Sequence, residues 1–184
     1  MKRTPRGQPE ICRVSSLARA FLALYERGYF PMADENGDLR GYCYDPRGVL
    51  PLQEFHIPRR LQRWLRQNPY TVTHNQAFEQ VIQSCGQRKS TWISTEISQG
   101  FCQLHRMGLA HSWEAWHQGQ LVGGLYGLAL GGTFCGESMF QRADHASKVC
   151  LVELVTRLRQ AGFDLIDCVR SVPAKRPQKD LIVQ

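Results

Sequence analysis

The sequence predicts an α+β fold, a mixed and mostly antiparallel sheet packed with helices, and three observations predict it. Helical spacing of apolar residues recurs in separated stretches along the chain. Three consecutive strand-like stretches, residues 110–116, 121–130 and 133–140, are joined by short turns, as in a meander. The texture changes after Asn68 and Pro69, which sets a small N-terminal α+β domain, residues 1–68, apart from a larger domain, residues 69–169.

The elements follow in order. Residues 14–27 repeat Leu17, Phe21 and Leu24 at spacings of four and three, with Ser15 or Ser16 as the cap and Gly28 as the stop. Asp34, Asn36 and Gly37 make a hairpin signal, and Asp45, Pro46, Arg47 and Gly48 punctuate the next stretch. Pro58 opens a short helix over 59–67 with Leu61 and Leu65 inward. Residues 70–74 read as a strand, Asn75 as the cap of a helix running to Cys85, and 94–107 as a helix closed by Gly108. After the meander a long helix spans 147–160, Gly162 ends it, and 165–169 is a last strand that joins the sheet beside an earlier one. This order suits an N-acyltransferase layout of the GNAT type.

Composition narrows the function classes. The chain has 184 residues, 42% hydrophobic and 21% charged, which is ordinary globular material. No apolar run nears the roughly 18 residues of a membrane span, and no signal-peptide core follows Lys2 and Arg3, so a cytoplasmic protein is expected. Seven cysteines without a C-x-x-C pair argue against zinc and against a disulfide framework, and six scattered histidines add no metal-ligand spacing. A net charge of +7 favours an anionic partner, nucleic acid ahead of membrane.

Four places carry candidate chemistry. Glu137 lies inside FCGESMF, residues 134–140, where strand alternation puts Phe134, Gly136, Ser138 and Phe140 on one face and Cys135, Glu137 and Met139 on the other. A carboxylate in an apolar strand is either half of a structural salt bridge or a cleft group that binds an amine. Asp167 lies in LIDCV in the same way: it sits on an exposed face, or it shares a cavity with Glu137. Arg59, Arg63 and Arg66 form one helix face with Arg60 beside it, which is either a solvated surface or a phosphate-contacting ridge. Trp92 either packs or stacks on a nucleobase.

Longer motifs tie these residues together. GYFPM (28–32), RGVLPL (47–52), FHIPRRLQR (55–63), TWIS (91–94), LHRMGLAHSWEAW (104–116), LVGGLYG (121–127), FCGESMF, ASK (146–148) and LIDC (165–168) occur in this order. The chain resembles the leucyl/phenylalanyl-tRNA–protein transferases over about residues 17–168. The resemblance implies a small N-terminal domain followed by a GNAT-like domain, acting as a monomer without cofactor or metal. It implies transfer of Leu, Phe or sometimes Met from aminoacyl-tRNA to the α-amine of proteins that begin with Arg or Lys, which marks them for N-end rule degradation. Glu137 and Asp167 match the family's acidic cleft residues, and Trp92 the residue near the terminal adenosine. Phe134, Gly136, Met139, Leu151, Leu154, Leu158 and Ile166 match the lining of the aminoacyl side-chain pocket. Arg59, Arg60, Arg63 and Arg66 are expected to contact the tRNA backbone.

Two departures qualify the resemblance. Val169 stands where the family has a glutamine held to relay a proton, and residues 170–184 depart from the family's continuation and read as a disordered tail. Two other readings therefore stand beside the transferase. One is a non-catalytic aminoacyl-tRNA or peptide binder. The other is a CoA-dependent acetyltransferase, which the glycine-free QRADHAS stretch, 141–147, disfavours because it offers no pyrophosphate cradle.

Overall fold

The computed structural model describes residues 16–168 and 181–183. Helix α1, Ser16–Glu26, buries Ala18, Phe21 and Tyr25, a stripe spaced by three and four residues. Gly28 ends it at φ 82°, where the left-handed turn lets the Gly28 and Tyr29 amides donate to the carbonyls of Tyr25 and Leu24. The expected hairpin is β1, Phe30–Ala33, with β2, Leu39–Cys43. Its turn is held by Asp34, whose side chain accepts from the Asn36 and Asp38 amides and from Arg40 Nε at 2.7 Å.

A second, six-stranded sheet has the order β3-β8-β7-β6-β5-β4. Its strands are β3, Gly48–Pro51; β4, Thr71–His74; β5, Ala110–His117; β6, Gln120–Leu130; β7, Thr133–Gln141; and β8, Leu165–Cys168. Every neighbouring pair is antiparallel except β7 and β8. That parallel pair needs a crossover, which the long helix α5, Ala146–Gln160, supplies. The other helices are α2, Arg59–Leu65; α3, Phe78–Gly86; and α4, Thr95–Arg106. Ser94 caps α4 by accepting from the Ile97 amide, and Gly108 closes it.

The sheet separates two apolar layers. On one face, α1, α3 and α4 bring Phe21, Phe78, Val81 and Phe101 onto Tyr126, Cys135 and Phe140. On the other, α5 lays Cys150, Leu154, Val155 and Leu158 on Trp113, Leu125, Phe134 and Ile166. Small residues set the closest approaches: a Cβ on Gly123 would lie 2.5 Å from Ala146 Cβ at the start of α5.

The structure corrects one expectation and adds detail to others. From before residue 68, β3 pairs with β8 of the larger sheet and covers what would otherwise be an open strand edge. β3 itself, GVLP, was hidden behind the turn signal at 45–48. Asn75 does not cap α3: it sits at φ 58° and accepts from the Ser112 amide, while Ala77 occupies the cap position. The stretch 170–184, expected as a disordered tail, lies mostly outside the described residues; within them, Leu181–Val183 forms β9, whose backbone pairs antiparallel with β2.

Candidate active site

Strand β7 does not alternate as its sequence suggests. Tyr126 pairs with Ser138 and Gly127 with Gly136, so Glu137 is an extra residue in a β-bulge. Gly127 makes the bulge possible, since a Cβ there would collide with the Cys135 carbonyl and the Phe134 ring. The bulge reverses the faces beyond it. Phe140 packs in the same layer as Cys135, opposite Phe134, contrary to the expected grouping.

The bulge buries Glu137 at 8% exposure and points it towards α1, where Tyr25 Oη donates to Oε1 at 2.6 Å. On the adjacent strand, Asp167 pairs in register with Cys135 and is 9% exposed. Arg47, in the turn before β3, donates Nε to Asp167 Oδ2 at 2.7 Å and Nη1 to the Gly28 carbonyl at 2.7 Å. Among the described residues, one oxygen of each carboxyl, Glu137 Oε2 and Asp167 Oδ1, is buried without a hydrogen-bond partner, and so is Tyr126 Oη. A buried unpaired acceptor is costly unless something is built to meet it.

Burial pushes the Glu137 carboxyl up to about 8; the Tyr25 hydrogen bond opposes this, Asp167 adds to it and Arg47 opposes it. The Tyr25 phenol is held well above its ordinary range by burial and then by Glu137. Burial lowers the Arg47 guanidinium, but its hydrogen bond and charge pairing with Asp167 outweigh that and leave it raised. For Glu137 a pH dependence follows. In the unfolded chain the carboxyl loses its proton near 4.5, and in the folded chain near 8. Within that window the folded state binds the extra proton, so stability falls as pH rises and levels off above about 8. Glu137→Gln is expected to remove this slope in urea unfolding followed across the window; a slope equal to the parent's would contradict the raised carboxyl.

The residues singled out from sequence divide between the two faces. Phe134, Leu154, Leu158 and Ile166 are buried in the α5 layer, with Leu151 packed at its edge. Gly136 pairs with Cys168 of β8, next to Asp167. Met139 is exposed at 42%, away from that layer. Trp92 packs against the opposite layer, where its carbonyl accepts from the Ala33 amide at 3.1 Å. Arg59, Arg60, Arg63 and Arg66 are all exposed. Val169 lies outside the described residues. A cavity of about 420 Å³ between β5 and the end of α5 is lined by Phe134 and Leu158 together with His74, Trp113, Arg157 and Phe163.

Sequence reasoning missed Tyr25, Arg47 and Tyr126. Arg47 read only as turn punctuation, and Tyr25 drew no reading of its own within the helix over 14–27. Their partners lie 120 and 112 residues away, so spacing carries no signal of either contact.

A sequence model of the leucyl/phenylalanyl-tRNA protein transferases matches residues 49–175. The leucyl/phenylalanyl-tRNA–protein transferase of Hyphomonas neptunium is 52% identical over 152 residues, which cover 79% of this chain and 59% of that protein. The namesake from Rubrobacter xylanophilus is 55% identical over 145 residues, covering 78% of this chain and 76% of its own. The L-PGS structure from Bacillus licheniformis aligns over 82% of this chain and 49% of its own, at a TM-score of 0.46 and 12% identity, too loose a likeness to rest a fold assignment on. The matched span contains Glu137, Asp167, Trp92, the α2 arginines and the apolar residues beneath the carboxylates, and on these grounds the chain belongs to the leucyl/phenylalanyl-tRNA–protein transferase family.

Proposed function

We propose that the chain transfers Leu, Phe or Met from aminoacyl-tRNA to the α-amine of proteins that begin with Arg or Lys, as a cytoplasmic monomer of GNAT-like layout serving N-end rule degradation. The observation that carries this reading is the pair of buried carboxyls on adjacent strands, each with one oxygen free among the described residues. The division of labour is a smaller N-terminal part, residues 1–68, that lends β3 and Arg47, and an acyltransferase part, residues 69–169.

The reaction asks little beyond placement. The aminoacyl ester is already activated, so no nucleotide or metal has to drive it. The acceptor nitrogen loses a proton and attacks the ester carbonyl; the new C–N bond forms, the C–O bond to the ribose breaks, and a proton goes to the departing 3′ oxygen. Holding the two reactants in register supplies most of the rate. A free α-amine titrates at about 7.7–8.0. Glu137, at about 8, is therefore a matched acceptor for its proton. Asp167 and Glu137 give an ammonium two oxygens to approach. The residues that match the family's side-chain pocket, Phe134, Gly136, Met139, Leu151, Leu154, Leu158 and Ile166, sort the aminoacyl side chain by size and shape, with Trp92 beside the terminal adenosine.

Arg59, Arg60, Arg63 and Arg66 form the phosphate-facing surface. All four are exposed, and none is held in an ion pair among the described residues. Reversing the charge of Arg63 and Arg66 is expected to weaken tRNA binding and to lower the slope of log affinity against log salt by about two. A salt titration indistinguishable from the parent's would leave these arginines as a solvated face. The reaction itself is tested by incubating Phe-tRNA with an Arg-initiated peptide and looking by mass spectrometry for one added Phe at the α-amine. Binding of charged tRNA without any transfer would favour the non-catalytic reading, which Val169 supports.

A further inference from the structure

The mechanism leaves Tyr25 unused. A phenylalanine would pack as well beside Ala18 and Phe21 on the buried stripe of α1. The hydroxyl is what distinguishes it, and that hydroxyl is spent on Glu137 Oε1 at 2.6 Å, across 112 residues of sequence. The bulge that makes Glu137 the extra residue of β7 is what brings its carboxyl within reach.

We propose that Tyr25 is a positioning residue for the proposed transfer reaction: it holds Oε1 of Glu137, leaves Oε2 as the oxygen offered to the acceptor amine, and stabilises the charged carboxylate that has to receive the proton. The inference rests on the transfer reading, which it deepens. The surroundings agree with it. Asp167 on β8 is occupied on its Oδ2 side by Arg47, and Tyr126 on β6 has a buried hydroxyl with no partner among the described residues, so neither satisfies Glu137 Oε2. Cys135, two residues before Glu137 on β7, adds a thiol that burial pushes up to about 12. Arg88, just past α3, is engaged by Ser138 Oγ and the Met139 carbonyl. Tyr25 is thus the hydroxyl donor to a carboxyl that burial otherwise keeps protonated.

The test uses the full chain and Tyr25→Phe, with two readouts. The first is the titration of Glu137 by carboxyl-carbon NMR. The second is kcat/KM for transfer from Phe-tRNA to an Arg-initiated peptide as a function of pH. Losing a hydrogen bond to a charged group is expected to move the Glu137 titration upward by about one to two pH units, since such a bond is worth roughly 1.5–3 kcal/mol and a unit is 1.36. The rising limb of the transfer profile moves with it, while the KM for tRNA stays where it was. The amine's own titration is common to both proteins and cancels. Measurable transfer with an unmoved Glu137 titration overturns the proposal. If the parent transfers at no pH, the reaction reading fails, and the carboxyl titration alone decides the role of Tyr25. If Tyr25→Phe does not fold, the Tyr25 phenol is titrated by ring-carbon NMR in the parent and in Glu137→Gln. It is expected to ionise at lower pH in the variant, and an unchanged titration there overturns the proposal.

Discussion

Val169→Gln is expected to raise the rate of transfer to an Arg-initiated peptide, by a factor within the roughly 10²–10⁴ that positioned acid–base groups contribute. The residue follows Cys168 at the end of β8, two positions after Asp167. Valine has neither a donor nor an acceptor in its side chain, so it cannot orient the amine or pass a proton on. The parent retains slow transfer, because an activated ester held beside an amine needs mostly proximity. The comparison is made with Phe-tRNA at saturating peptide, after both proteins are shown to be folded. Equal and fast rates in the two would remove the relay from the account and leave the two carboxyls to handle the proton.

Arg47→Ala is expected to cost about 2–4 kcal/mol of stability in urea unfolding. The Asp167 side chain is 12% exposed and Arg47 22%, so removing the guanidinium strands a mostly buried carboxylate. The same change frees the Gly28 carbonyl, and the chain just past α1 loses one of its ties to the sheet, while the Tyr25–Glu137 bond stays. Arg47→Ala combined with Asp167→Asn is expected to recover most of the loss, since the uncompensated charge is then gone. Arg40→Ala, which breaks the more exposed pair with Asp34, is expected to cost far less. Equal losses for Arg47→Ala and Arg40→Ala would show that the site's ion pair is not a buried one.

What could be read from sequence was local. The meander strands were legible because alternation and short turns are properties of neighbouring residues. The ends of α4 were legible because Ser94 and Gly108 act within one turn of it. Glu137 and Asp167 stood out because a carboxylate inside an apolar strand demands a reason. What could not be read depends on contacts across the fold. The bulge at Glu137 leaves no mark on composition, so the faces of Ser138 to Phe140 came out reversed. β3 is four residues long, and its place in the large sheet is decided by the open edge of β8. Asn75 has the chemistry of a cap, but its side chain meets Ser112 instead. Arg47 and Tyr25 acquire roles only when β3 and α1 are laid beside β8 and β7.

One measurement tests the transfer reading most directly. The full chain is mixed with tRNA charged with radiolabelled phenylalanine and with two peptides that share an N-terminal arginine, one with a free α-amine and one acetylated, and label in each is followed over a single turnover. The account predicts label on the free-amine peptide only, at a rate that rises with pH towards about 8 and falls sharply in Glu137→Gln. Label on neither peptide while the charged tRNA is bound, or a rate in Glu137→Gln equal to the parent's, would contradict it.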